Sequence, residues 1–177
     1  MSELRSWAFG ATGIWVALIA AGLLAARRPF PALSDRGRRH LVLLALVAIA
    51  VQIAHFGEEL SKGFFAAFPQ ALGLPLWSRR AFIVFNLVWL VAWLISVPTA
   101  VRGSRLAQWL LWFLALALVL NGIAHPVLAV LARGYFPGLV TSVAAFLAGG
   151  VMLRWMVGVT RNAPEPGFAA GQDGPER

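Results

Sequence analysis

Residues 41–60 read LVLLALVAIAVQIAHFGEEL. From Leu41 to Val51 there is no polar side chain, and the whole block matches the ~20 residues a helix needs to cross a hydrocarbon core. Lipid offers the backbone no hydrogen-bond partner, so such a block closes its own bonds as a helix. The alternation of apolar and polar residues that a membrane β-barrel requires is absent.

Four more blocks share this character, at 7–26, 81–101, 106–132 and 137–159. The expected fold is therefore an all-α membrane protein, a bundle of about five transmembrane helices within residues 1–161. The first block is too long for a signal-peptide core and no small-residue cleavage site follows it, so it is expected to be retained. Segment 61–80, SKGFFAAFPQALGLPLWSRR, is too broken by Gly and Pro to span. Its Phe64, Phe65, Phe68 and Trp77 beside Lys62, Arg79 and Arg80 suit an interfacial aromatic loop, either an anchor or a lid admitting an apolar substrate sideways. The tail 162–177, rich in Pro, Gly and Ala, reads as disordered.

The composition agrees: 60% of residues are hydrophobic and 12% charged. A net charge of +8 would suggest nucleic acid if the basic residues formed a patch. They lie instead between the apolar blocks, as topology anchors and headgroup contacts, so no nucleic-acid partner is expected. The chain has no cysteine, which removes disulfides, Cys-ligated zinc and thiol nucleophiles. No internal repeat supports an inverted-repeat transporter.

Basic residues also suggest an orientation. With 27–40 in the cytoplasm, Arg27, Arg28, Arg36, Arg38, Arg39, Arg102, Arg105, Arg161 and Arg177 lie inside, against Arg5, Lys62, Arg79, Arg80 and Arg133 outside. The expectation is a multi-pass protein of the bacterial inner or cell membrane, N-terminus outside and C-terminus cytoplasmic.

Polar residues inside the apolar blocks mark a candidate site. Of seven acidic residues, only Glu58 and Glu59 lie inside a block, in Gln52-Ile-Ala-His55-Phe-Gly-Glu58-Glu59. At 3.6 residues per turn, Gln52, His55, Glu58 and Glu59 share one side of a helix. An imidazole with two carboxylates can ligate a metal or supply an acid and a base. A water-facing helix end is the plain alternative, but two carboxylates and a histidine in so acid-poor a chain favour a site. Asn121 and His125, four apart, form a second pair. By helix rise, His55 and Asn121 each lie about 21–22 Å from the inner ends of their blocks. Asn86 and Thr141 fall at the same level, so four helices contribute to one outer-half layer.

His55-Phe-Gly-Glu58-Glu59, Asn121-Gly-Ile-Ala-His125 and Tyr135-Phe-Pro137-Gly138-Leu-Val-Thr141 resemble, in order, segments of the membrane-protein family named for its HXXEE motif, over about residues 41–150. The resemblance implies a His/Glu site and no particular reaction, the family having no established activity. More loosely, and at fold level only, the arrangement is similar to the five-helix sterol isomerases of the emopamil-binding group.

The leading expectation is a membrane-embedded enzyme acting on a lipid or other hydrophobic small molecule taken from the bilayer. In its metal-dependent version, a hydrolase or oxidoreductase, His55, Glu59 and His125 hold Zn or Fe, and Glu58, Glu59 and Asn121 carry the catalytic roles. Glu59, with Gln52 to orient it, is expected to be the fixed carboxylate. Glu58 is expected to move protons, and both carboxylates to share a cavity with the facing imidazoles. The alternatives are a metal-free isomerase, in which glutamate and histidine exchange protons, a small proton or cation transporter, and a structural protein packing through Gly149-Gly150.

Overall fold

The structure, a computed structural model, describes residues 6, 8 and 10–161; the tail 162–177 lies outside the described residues. These form six helices and no strand: α1 (Thr12–Arg27), α2 (Asp35–Ser61), α3 (Phe64–Ala71), α4 (Arg79–Val101), α5 (Arg105–Leu131) and α6 (Leu139–Arg161). Among them α2, α4, α5 and α6 are long and apolar enough to cross a membrane, and α1 is a shorter apolar helix. Their outward faces are large and apolar, with Val130, Val140, Ile19 and Leu106 each more than 60% exposed. Water would make such a surface an aggregation site, whereas lipid solvates it. The fold is an all-α membrane bundle of about five helices, with α3 as a short extra element.

Helix starts follow local capping. Ser34, Ser78 and Ser104 each accept the N–H three residues on, opening α2, α4 and α5; each such cap contributes about 1 kcal/mol. The Ser34 cap, with Asp35 in the first turn, carries α2 back to Asp35 instead of the expected 41, so Arg36, Arg38 and Arg39 ride on its first turns. The expected aromatic loop contains a helix, α3. Left-handed Gly63 (φ 76°) opens it and left-handed Gly73 (φ 65°) lies just past its end, and Phe64, stacked on Phe68 at 4.9 Å between ring centroids, is buried.

α5 is the hub, packing against α6, α1, α4 and α2. It meets α6 closely because Gly122 and Gly149 leave no room for a Cβ. One at Gly149 would lie 2.7 Å from the Ala115 carbonyl, and one at Gly122 would collide with Phe146. α1 presents the buried stripe Ala17, Ala21, Ala25 to α5. It is fastened there by Trp109 Nε1 donating to the Leu18 carbonyl (3.0 Å) and Arg105 to that of Ala25 (3.3 Å). At one end of the bundle α2 closes and α6 opens; this is the site end.

Candidate metal centre

The last turns of α2 turn Gln52, His55, Phe56 and Glu59 inward. The 3.6-residue period puts His55 and Glu59 one above the other. His125, nearly two turns from the end of α5, comes in from across the bundle and is buried with them. The Nε2 atoms of His55 and His125 are 3.1 Å apart. Glu59 Oε1 lies 3.6 Å from the first and 3.3 Å from the second. The two rings meet edge to face at 4.6 Å between centroids. A triangle with these sides has a point about 1.9 Å from all three atoms, close to the about 2.0–2.2 Å of metal–nitrogen and metal–carboxylate bonds. Among the described residues these are the three side chains that could together hold an ion.

The other ring nitrogens decide what these atoms present. His125 Nδ1 lies 2.6 Å from the Pro137 carbonyl oxygen, which can only accept, so Nδ1 carries the proton. His55 Nδ1 lies 2.8 Å from Thr141 Oγ1. That hydroxyl spends its single hydrogen on Glu58 Oε2, at 2.6 Å, so it accepts from His55. Each ring, where it is neutral, therefore turns a lone pair at Nε2 toward the other and toward a carboxylate oxygen. Three acceptors this close repel unless a cation or a shared proton lies among them. Buried ligand histidines fixed from behind in this way are a regular feature of metal sites.

His125 also depends on a backbone device. Gly138 has φ 91°, and a Cβ on it would collide with the imidazole. The Pro137-Gly138 turn thus supplies both the carbonyl and the space for the ring. In the sequence the only signal for this role is a Pro-Gly pair just before a helix.

Glu58 lies elsewhere. One residue from Glu59, it is rotated by about 100° around α2 and does not enter the cluster or the cavity beside it. Its carboxylate sits at the start of α6, accepting from Val140 N (3.0 Å), Thr141 N (2.8 Å), Thr141 Oγ1 and Tyr135 Oη (2.7 Å). This caps α6 from another helix, where the exposed N–H groups and the dipole favour a carboxylate. Partial burial and donation to Glu58 push the Tyr135 phenol up to about 12. The cavity expected to hold both glutamates holds Glu59 alone, because the N-terminus of α6 draws Glu58 away.

That cavity, of about 440 Å³, reaches Glu59 and His125 and runs on between α1, α4 and α5. Gln52, Asn86 and Asn121 line it with a wall of aromatic rings. Asn121 is one turn from His125 and makes no hydrogen bond to the cluster. Asn86 donates to the Phe82 carbonyl of its own helix (3.0 Å). The expected Gln52–Glu59 hydrogen bond is absent among the described residues, and Gln52 Oε1 is buried without a partner. Two turns separate Gln52 from Glu59 along α2, beyond the reach of an amide.

A family model described as protein of unknown function with HXXEE motif matches residues 46–153, more than half of the chain. The motif's lettered positions are His55, Glu58 and Glu59, and the match extends over His125, Gly138 and Thr141. No curated protein and no solved structure matches the chain.

Proposed function

The chain belongs to the HXXEE-motif family, whose function is unknown, and we propose that it is a membrane-embedded, metal-dependent enzyme acting on a hydrophobic substrate. One observation carries the reading: three buried acceptor atoms within 3.1–3.6 Å of one another, with both histidine Nδ1 protons committed elsewhere. Two histidines and a glutamate are a ligand set used by catalytic zinc, and also the two-histidine, one-carboxylate set of non-haem iron. Three protein ligands leave a position for water or substrate, and the cavity adjoins it on the side of Glu59 and His125.

A bound ion would supply an activated water, in hydrolysis, or an oxidising centre. The residues of this chain supply the rest. Glu59 contributes the negative charge that makes the pocket selective for a cation. Thr141 and Pro137 hold the two imidazoles in the ligating tautomer. Glu58 orients Thr141 and so acts through His55. Asn121 lines the cavity where it can orient a substrate oxygen. The apolar walls exclude bulk water from the reacting atoms.

The 3.1 Å Nε2–Nε2 separation is also the length of an N–H···N hydrogen bond. It supports a second, metal-free reading in which the rings share a proton, Glu59 is the counter-ion and the chemistry is isomerisation by proton transfer. The basic count along the sequence favours placing the site end outside and the N-terminus with it.

Metal content decides between the readings. Full-length protein purified in detergent without chelator should carry about one zinc or iron per chain by elemental analysis, and a His55→Ala, His125→Ala double variant less than a tenth of that. A parent that stays metal-free after exposure to both ions, while still folded, overturns the metal centre and leaves the proton-sharing pair.

A further inference from the structure

We propose that the cavity beside the metal centre binds a neutral lipid, an uncharged molecule with one long apolar chain ending in an ester, amide or hydroxyl group, which arrives sideways from the bilayer between α1 and α4. The inference rests on the metal-centre reading, which makes that end of the cavity the place where chemistry occurs.

The opening is read from packing. α1 and α4 both lie against α5, and no Cα of one comes within 8 Å of a Cα of the other. Between them α5 shows Leu120, Ile123, Ala124 and Val127, at helical spacing i, i+3, i+4 and i+7. All four line the cavity while remaining exposed. Exposed Gly13 of α1 forms the facing lip, and a Cβ there would meet nothing within 4 Å. A mouth made of Leu, Ile, Ala, Val and Gly, within membrane-spanning segments, faces acyl chains.

The occupant is read from the walls. At about 440 Å³ the cavity is in the range of about 300–1,000 Å³ that encloses a small ligand. Phe68, Trp77, Phe85, Trp89, Trp93 and Phe113 line it, a surface suited to a hydrocarbon chain. Among the described residues no Lys or Arg lines it, so a phosphate headgroup would be desolvated with none of their basic side chains to receive it. A cationic headgroup would face the ion at the centre. An uncharged polar group remains, and Asn121 matches it. Its amide lines the cavity about 6 Å along α5 from His125 and has no hydrogen-bond partner among the described residues. An amide is costly in hydrocarbon unless something pairs it. A carbonyl or hydroxyl held by Asn121 would sit within reach of the centre.

The test is photolabelling of full-length protein in phosphatidylcholine nanodiscs with a monoacylglycerol bearing a diazirine in its chain. Label is expected on peptides covering 82–93 and 113–128, displaced by unlabelled monoacylglycerol and not by phosphatidic acid. Gly13→Phe, which fills the mouth, should cut it at least tenfold, whereas Gly158→Phe, exposed on α6 with open space around it, should not. Label spread evenly over the lipid-facing helices, equal displacement by phosphatidic acid, or indifference to Gly13→Phe would each overturn the proposal. Metal content measured on the same samples separates the two readings. Unspecific labelling of metal-loaded protein defeats the lipid site alone, and specific labelling of metal-free protein upholds the lipid site and defeats the metal centre.

Discussion

Glu58 and Glu59 are the same residue type on consecutive positions of one helix, yet they belong to two different regions. Glu59 is buried between two imidazoles, as a third acceptor with no backbone donor among the described residues. Glu58 faces the start of α6, where two backbone N–H groups and two hydroxyls satisfy it. The first environment makes a carboxylate seek a cation. The second already supplies everything a carboxylate requires, so it serves as a structural anchor that reaches the centre only through Thr141 and His55. A turn of about 100° on α2 separates a ligand from a brace.

If that contrast is right, disturbing the inner side should have the largest effect. Gly138→Ala forces a side chain into the left-handed region and into the His125 ring. Metal content should fall below about a tenth of the parent value, because His125 can no longer keep its place. A Gly138→Ala protein with parental metal would show that the ring position is not needed.

On the outer side the expected loss is partial. Glu58→Gln keeps the shape but weakens four hydrogen bonds, and as a support of a ligand it should reduce metal affinity about 10–100-fold. Losing the charge at the start of α6 should also lower thermal stability by about 1 kcal/mol, or about 2–4 °C for a chain of this size. Complete metal loss in this variant, measured by competition with a chromophoric chelator, would place Glu58 among the ligands and erase the distinction.

The smallest effect is spectroscopic. Tyr135 is the single tyrosine of the chain, so the rise in absorbance near 295 nm with pH reports it alone. Its pKa is raised from 10.0 to about 12. The contribution of its bond to Glu58 is therefore full below pH 10 and lost as pH rises through about 12. A titration midpoint near 12 that moves toward 10 in Glu58→Gln sharpens the outer region as drawn. A parental midpoint at 10 would mean that Tyr135 and Glu58 do not meet.

The sequence carried the fold because lipid leaves so few options: a run such as Leu41–Val51 has no stable form there except a helix. It carried part of the centre too, since helical period puts His55 and Glu59 on one side of a helix and helix rise puts His125 at a similar level. Glu58 was not legible, because its partners are Tyr135 and the first turn of a helix that starts 81 positions later, and only tertiary packing brings that N-terminus to α2. α3 was hidden by the Gly and Pro that rightly excluded a span but do not exclude two turns of helix. The collision that makes Gly138 necessary depends on where the His125 ring comes to rest, which no local pattern encodes.

The central claim is that His55, Glu59 and His125 bind one ion together. X-ray absorption at the metal edge of the purified full-length protein tests it most directly. The account predicts two imidazole nitrogens and a carboxylate oxygen at about 2.0–2.2 Å, with the ion itself lost in His125→Ala, the oxygen shell altered in Glu59→Gln, and the parental shell kept in Glu58→Gln reloaded with metal. A shell without imidazole, or one that Glu58→Gln changes and Glu59→Gln does not, would contradict it.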